Sequence, residues 1–198
     1  KFLGDIGQVV AGITLGRKTG TTSVESIPYL RVANVKDGYL ALEDIKLIAA
    51  TKPEIEKLLL ESGDLLLTEG GDPDKLGRGT IWEGQLEQCI HQNHIYRVRF
   101  AQDTFSPEFL SKQISSSYGK DYFLAHAKQT TGIATINQTV LKGFPFHIPP
   151  LEKQKRIATE LDDKNAGVKL AEASIQQELD TIEAMPAALL RKAFSGGL

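Results

Sequence analysis

Leu161, Val168, Ile175, Ile182 and Leu189 follow one another at intervals of seven residues near the end of the chain. Residues seven apart return to one face of an α-helix, so this rank predicts a long helix within Leu151–Leu198. The second rank, Ile157, Lys164, Ala171, Glu178 and Met185, is mixed, whereas a strong two-stranded seam wants both ranks apolar. Ala158 and Leu179 widen the stripe, which resembles a bundle face more than a free zipper. Two readings remain open: a helix folded back on its own head, and a stalk that meets a partner. Length favours the stalk, because roughly 34 residues to Ala184 span about 50 Å, more than a head of about 150 residues covers. Pro186 lacks an amide donor and clashes one turn back, so a break is expected there. A short last helix, Ala187–Phe194, then ends at Gly196–Gly197.

The first 150 residues show mixed short periods. Phe2–Val10 alternates weakly before a polar loop. Ile27–Val35 reads as a strand, Asp37–Gly38 as a turn and Leu40–Ile48 as a second extended run. Thr51–Lys52–Pro53–Glu54 opens a short helix to about Leu60, with Thr capping and Pro in the first turn. Ser62–Gly63–Asp64 turns into a buried strand, Leu65–Thr68. Glu69–Gly79 carries four glycines and a proline and reads as a loop. Thr80–Trp82 and Ile95–Phe100 read as strands around the polar run His91–His94. Ser106–Pro107–Glu108 starts a helix to about Ala125. Lys128–Gly132 is a polar turn, Leu141–Pro149 a strand, and Pro149–Pro150 closes the head.

Composition adds bounds. The chain is 41% hydrophobic and 24% charged, an ordinary globular balance, and no apolar run suggests a membrane span. A single cysteine, Cys89, excludes an internal disulfide framework and predicts a reducing, cytoplasmic compartment. The start, Lys1–Phe2–Leu3, is neither an initiator Met nor a secretion signal and reads as a trimmed or partial chain. Net charge is −2, but it is unevenly spread: residues 105–156 hold 7 Lys/Arg against 3 Asp/Glu, and residues 157–198 hold 4 against 7. The basic excess falls late in the head, where it is either a nucleic-acid patch or a solvated face.

Catalytic signatures are missing from the sequence. His147–Ile148–Pro149–Pro150–Leu151 lacks the amide and aromatic groups with which an amino-methyltransferase clamps a base. Pro73–Asp74 is not followed by the acid-x-lysine set of a nuclease, and Asp44–Ile45–Lys46 lies upstream of it. The Glu69–Gly79 glycines do not match phosphate-loop spacing. Close approach to a DNA backbone suits them better, with Lys75 and Arg78 reaching phosphate or guanine; a plain hairpin loop is the other reading. In His91–Gln92–Asn93–His94, read as a strand, His91 and Asn93 share one face and Gln92 and His94 the other. The two histidines invite a metal reading, but only Cys89 sits nearby. Cys89 itself, with no evident base partner, reads as a buried structural thiol.

Several stretches together resemble the specificity subunit of type I restriction–modification systems. They are Pro28–Val35 (PYLRVANV), Gly63–Leu66 (GDLL), Glu69–Pro73 with Gly77–Gly79, and Cys89–His94 (CIHQNH). Further along are Thr131–Ile133 with Ile136–Asn137, Ile148–Leu151 with Gln154, Arg156 and Ile157, and Leu189–Leu190 through Ala193–Gly196. The resemblance runs in order over nearly the whole chain. It implies an α+β chain: a mixed α/β target-recognition domain over 1–149, then a helical spacer over 150–198. That spacer forms an antiparallel coiled coil with a second copy or a second half, through Ile157, Leu161, Val168, Ile175, Leu179, Ile182 and Leu189.

The resemblance also implies a division of labour. Such a subunit has no catalytic residues and binds no metal or cofactor. It reads one half of a split site on double-stranded DNA and docks methyltransferase and restriction subunits, which use S-adenosylmethionine, ATP and Mg. This chain departs from the family pattern in holding one domain and one helix, and reads either as a natural half-length subunit or as one half of a longer chain. As a half-length subunit it is expected to pair with a second copy through the stalks as a homodimer. The residues expected to touch DNA are Arg31, Asn34, Lys75, Arg78, Gln92, Asn93, Lys128, Thr130 and Thr131. Two alternatives stand beside this reading. One is a coiled-coil scaffold that binds no DNA; the other is a target-recognition domain cut from a fused methyltransferase–nuclease.

Overall fold

The computed structural model describes residues 1–17, 23–71, 76–130 and 132–195. The first unit, Lys1–Lys155, begins with α1 (Leu3–Ile6), β1 (Gly7–Ala11) and β2 (Glu25–Leu30). A 3₁₀ turn, Val32–Asn34, leads to β3 (Lys46–Ala50), α2 (Lys52–Leu58), β4 (Leu65–Thr68) and β5 (Gly70–Gly71). Next come β6 (Gly79–Ile81), β7 (Ile90–His91), β8 (Ile95–Phe100), α3 (Pro107–Ser115) and α4 (Ser117–His126). The unit closes with β9 (Lys128–Thr130), β10 (Ile133–Thr135), α5 (Gln138–Lys142) and the first turns of α6 (Leu151–Phe194). This is the expected mixed α+β head followed by a long helix.

Among the described residues the strands form three sheets. One is fully antiparallel, in the order β1-β8-β4-β6. Its centre is the apolar run of β4, in which all four residues are buried. The second, β3-β2-β7, pairs β2 antiparallel to β3 and parallel to β7. The third, β5-β10-β9, is small and antiparallel. Leu30, Leu66, Trp82, Cys89 and Ile95 fill one core cluster; Ile27, Tyr29, Leu58 and Ile90 fill another. Cys89 is therefore a core thiol, and burial pushes its pKa up to about 12, which leaves it inert.

Local chemistry explains the helix starts. Glu54 accepts a 2.8 Å hydrogen bond from the Thr51 amide at the head of α2. Arg17 grips the same carboxylate at 2.6 and 2.8 Å, and these contacts hold the Glu54 pKa down at about 2. The Ser106 hydroxyl accepts from the Phe109 amide and opens α3. The single helix expected over 106–125 is in fact two. Ser116 ends α3 and caps α4, accepting from the Gly119 amide and donating to the Gln113 carbonyl. Side-chain bonding to the backbone lets a serine compete with helix continuation.

Other boundaries also differ from the sequence reading. The strand expected over Ile27–Val35 stops at Leu30, because Asn34 folds the next residues into the 3₁₀ turn. The second extended run begins at Lys46 rather than Leu40, which makes only a bridge to Val35. The strand expected over Leu141–Pro149 starts inside α5, which Asn137 caps at the Val140 amide. The extended character is real only beyond it, where Phe144 and Phe146 hydrogen-bond to Leu3 and Lys1.

The second unit, Arg156–Leu198, is described by the rest of α6. The break expected at Pro186 is absent, and the helix runs through it to Phe194. Proline's fixed φ is already helical. The Ile182 carbonyl, which loses its amide donor, lies in a segment exposed on every side, where water can serve it. Every described residue from Thr159 onward is exposed, including Leu161, Val168, Ile175, Leu179, Ile182 and Leu189. Ile157 is half-buried.

Candidate nucleic-acid interface

The loop from Glu69 leaves the end of β4 and returns at Arg78, whose carbonyl accepts from the Thr68 amide at 3.0 Å. Near its start, Gly70 and Gly71 pair with Thr135 and Ala134 of β10. That approach requires a glycine, since a Cβ on Gly70 would lie 2.3 Å from the Ala134 carbonyl oxygen. The far side of β10 carries β9, joined to it by a turn at Gly132 with φ +79°. Two interstrand steps, about 10 Å in all, therefore separate the glycine pair from β9. The three residues of β9, Lys128, Gln129 and Thr130, are all exposed.

The polar run at 91–94 joins the same surface. The Glu69 amide donates to the His94 carbonyl at 2.9 Å, and the Glu69 carbonyl accepts from the Ile136 amide at 2.8 Å. His94 Nδ1 meets the Glu69 carboxylate at 2.5 Å. Val32, Gly70, Ile133 and Thr135 complete a shallow cleft of about 200 Å³ around this pair. The fold thus brings together the glycine loop, the β9–β10 hairpin, the 92–94 turn and the 3₁₀ turn.

The strand reading of His91–His94 needs correcting, because β7 stops at His91 and residues 92–94 turn into β8. His91 points into the core, fully buried, with Nδ1 2.9 Å from the Ile95 carbonyl. Burial drives its pKa down to about 4, so at neutral pH the ring is uncharged and Nδ1–H is the donor. His94 is exposed, and the two rings do not converge on a metal. Among the described residues no group of three or more His, Cys, Asp or Glu side chains could hold one.

The expected contact residues divide. Lys128 and Thr130 stand exposed on β9. Gln92 and Asn93 are half-buried in the turn, with their backbone amides tied to the Leu30 and Ile13 carbonyls at 2.9 Å each. Arg78 is half-buried at the return of the loop. Arg31 is folded onto Asp44, donating to its carboxylate and carbonyl at 2.7 Å each. Lys46 and then Arg31 hold the Asp44 pKa below the ordinary carboxylate value. Asn34 is corrected from a surface contact to a structural residue. It is 3% exposed, and its amide group serves the Arg31 amide and the Ala41 and Asp44 carbonyls. Lys75 and Thr131 lie outside the described residues. Sequence reasoning missed Glu69 and His94 as a pair, although each bounds a motif it singled out.

The head gathers loop, hairpin and turn on one surface, and a long helix follows it in the chain. The chain belongs to the type I restriction modification DNA specificity domain family, whose family model matches residues 1–181. It is 28% identical over 177 residues to the putative type I restriction enzyme MjaX specificity subunit of Methanocaldococcus jannaschii, covering 89% of this chain and 39% of that protein. It is 27% identical over 185 residues to the type I restriction enzyme StySPI specificity subunit of Salmonella potsdam, covering 93% and 40%. The chain thus spans well under half the length of these relatives.

Among solved structures, the HsdS subunit from Thermoanaerobacter tengcongensis matches with a TM-score of 0.62 at 22% identity, over 100% of this chain and 45% of that one. A chain from a structural study of complex assembly and conformational transition of the type I R-M system gives 0.65 at 21%, over 100% and 45%. At these identities the likeness is one of fold. Among the described residues no helix is long and apolar enough to cross a membrane.

Proposed function

We propose that this chain is a specificity subunit, or one half of one, in a type I restriction–modification enzyme. Its head reads one part of a split site on double-stranded DNA. Its helix pairs antiparallel with a second copy or a second half, which sets the spacing between two heads. The methyltransferase and restriction subunits dock on this assembly and bring S-adenosylmethionine, ATP and Mg; the chain itself performs no chemistry, and the cytoplasm is its place of action. Arg31, Arg78, Gln92, Asn93, Lys128 and Thr130 are the described side chains assigned to DNA, with Lys75 and Thr131 beside them in sequence.

The observation that carries this reading is the match of residues 1–181 to the DNA specificity domain. The geometry supports it, since Lys128 and Thr130 share one small sheet with the glycine loop. A scaffold that binds no DNA leaves that match without a purpose. The test is to co-express the chain with a methyltransferase subunit and map methylated positions across a genome. One split consensus motif is expected; methylation without any consensus overturns the proposal.

A further inference from the structure

The cleft between the glycine loop and the 92–94 turn holds a carboxylate that DNA should repel. Phosphates surround any protein group on a duplex with negative charge. A carboxylate placed there is tolerated where it finds a hydrogen-bond donor, and on base edges the donors in the major groove are the amino groups of cytosine and adenine. Glu69 is well prepared for such a task. Its backbone is clamped on both sides, by the His94 carbonyl at 2.9 Å and the Ile136 amide at 2.8 Å. One carboxylate oxygen, Oε2, is engaged by His94 Nδ1 at 2.5 Å, which fixes the side chain, and both residues line the cleft. The side chain remains 30% exposed and that of His94 53%. Ile133, 53% exposed, borders the same cleft and offers an apolar wall to a base.

We infer that this cleft is a base-reading subsite: Glu69 accepts a hydrogen bond from the N4 amino group of one cytosine, and His94 is the positioning residue that aims the carboxylate. The inference rests on the DNA-recognition reading given above. It assigns specificity as much by rejection as by attraction. Thymine O4 and guanine O6 are acceptors, so either base at that position sets lone pair against lone pair. A supporting shell that locks the reading group, here two backbone bonds and one imidazole, is what such discrimination requires.

The test uses the full chain assembled with its methyltransferase subunit, on duplexes in which each position of the mapped half-site is replaced in turn. Glu69→Gln supplies an amide that can donate as well as accept. It should lower discrimination against thymine and guanine at one cytosine position by about tenfold or more, with the other positions unchanged. His94→Phe should weaken the same discrimination at the same position, and His94→Gln, which can still donate to the carboxylate, should restore it. Co-purification and thermal melting establish that each variant assembles. If Glu69→Gln does not assemble, the His94 pair carries the same readout. Unchanged base preference at every position in assembled variants overturns the inference, as does a change confined to an adenine position. A parent complex that methylates without any consensus overturns the reading beneath it, an outcome distinct from a selective parent with unaltered variants.

Discussion

Arg99 holds Asp64 through two parallel hydrogen bonds of 2.7 Å, and Asp64 is 1% exposed. The same guanidinium reaches Glu61 at 2.6 Å and the Leu59 carbonyl at 3.0 Å. Asp64 also accepts from the Glu61 amide at 2.8 Å, closing the turn that launches β4. A charge-assisted fork of this kind fixes both groups in direction as well as distance. The aspartate of the Gly63–Leu66 motif is thus an anchor for the strand from which the glycine loop emerges. Asp64→Ala removes a buried acceptor but leaves Arg99, 27% exposed, on Glu61 and the Leu59 carbonyl. The change should therefore cost about 1.5–3 kcal/mol in urea unfolding, as for hydrogen bonds to a charged group. A loss below about 0.5 kcal/mol contradicts this role.

Some of this structure was legible from the residues, and the reason lies in how local each signal is. Leu65–Thr68 and Ile95–Phe100 were readable as strands because buried strands carry dense apolar runs between turn residues. Ser106 marks the start of α3 through its own hydroxyl, whereas at α2 the Thr51 side chain caps no backbone amide and the Glu54 carboxylate accepts from the Thr51 amide instead. The β5-β10-β9 sheet left no such trace. Its strands are two or three residues long and hold Gly, Ala, Thr, Lys, Gln and a single Ile, so no period develops. Phe144 and Phe146 resembled an internal strand because their extended partner is the chain's own first residues, far away in sequence. The two histidines of one motif have opposite fates, set only by where β7 stops.

His91 makes the head sensitive to acid. Its folded pKa, about 4, lies below the ordinary value of 6.5 because burial penalises the imidazolium, while the Ile95 carbonyl opposes that shift and Arg97 reinforces it. The unfolded chain therefore takes up the proton first. Its contribution is fully present above pH 6.5 and is lost as pH falls towards 4. Between pH 7.5 and 5 this single group should cost about 2 kcal/mol of unfolding free energy. His91→Gln, less stable at neutral pH, should lack that portion of the slope. Equal pH slopes in parent and variant rule the assignment out.

Gly70 is where backbone proximity and recognition meet. A methyl group there collides with the Ala134 carbonyl and with Thr135, so Gly70→Ala should part β5 from β10. The buried core lies elsewhere, and the change should leave the main unfolding transition within about 1 kcal/mol, as for a substitution away from the core. Binding of the assembled complex to its DNA site should fall at least tenfold, because the loop and hairpin no longer share one surface. Gly71, whose added Cβ meets nothing within 4 Å, provides the control. Parent-level affinity in Gly70→Ala separates the small sheet from DNA recognition.

The exposed helix face poses the last question. Leu161, Val168, Ile175, Ile182 and Leu189 are each 40–60% exposed along one slowly drifting stripe. Ile175 lies in its middle at 58%, and Leu170, 74% exposed, points about 140° away from it around the helix. If two copies pair through the stripe, light scattering should give the chain a mass twice its 21.7 kDa. Ile175→Asp places a charge in the seam and should return the mass to that of one chain. Leu170→Asp changes hydropathy equally but off the seam, and should leave the dimer intact. A dimer that survives Ile175→Asp, or one that Leu170→Asp dissolves, assigns the pairing to another face. The mixed second rank, with Lys164 and Glu178 among its members, makes an isolated seam of moderate strength. The dimer should therefore be concentration-dependent, and a bound methyltransferase subunit should strengthen it by mass action.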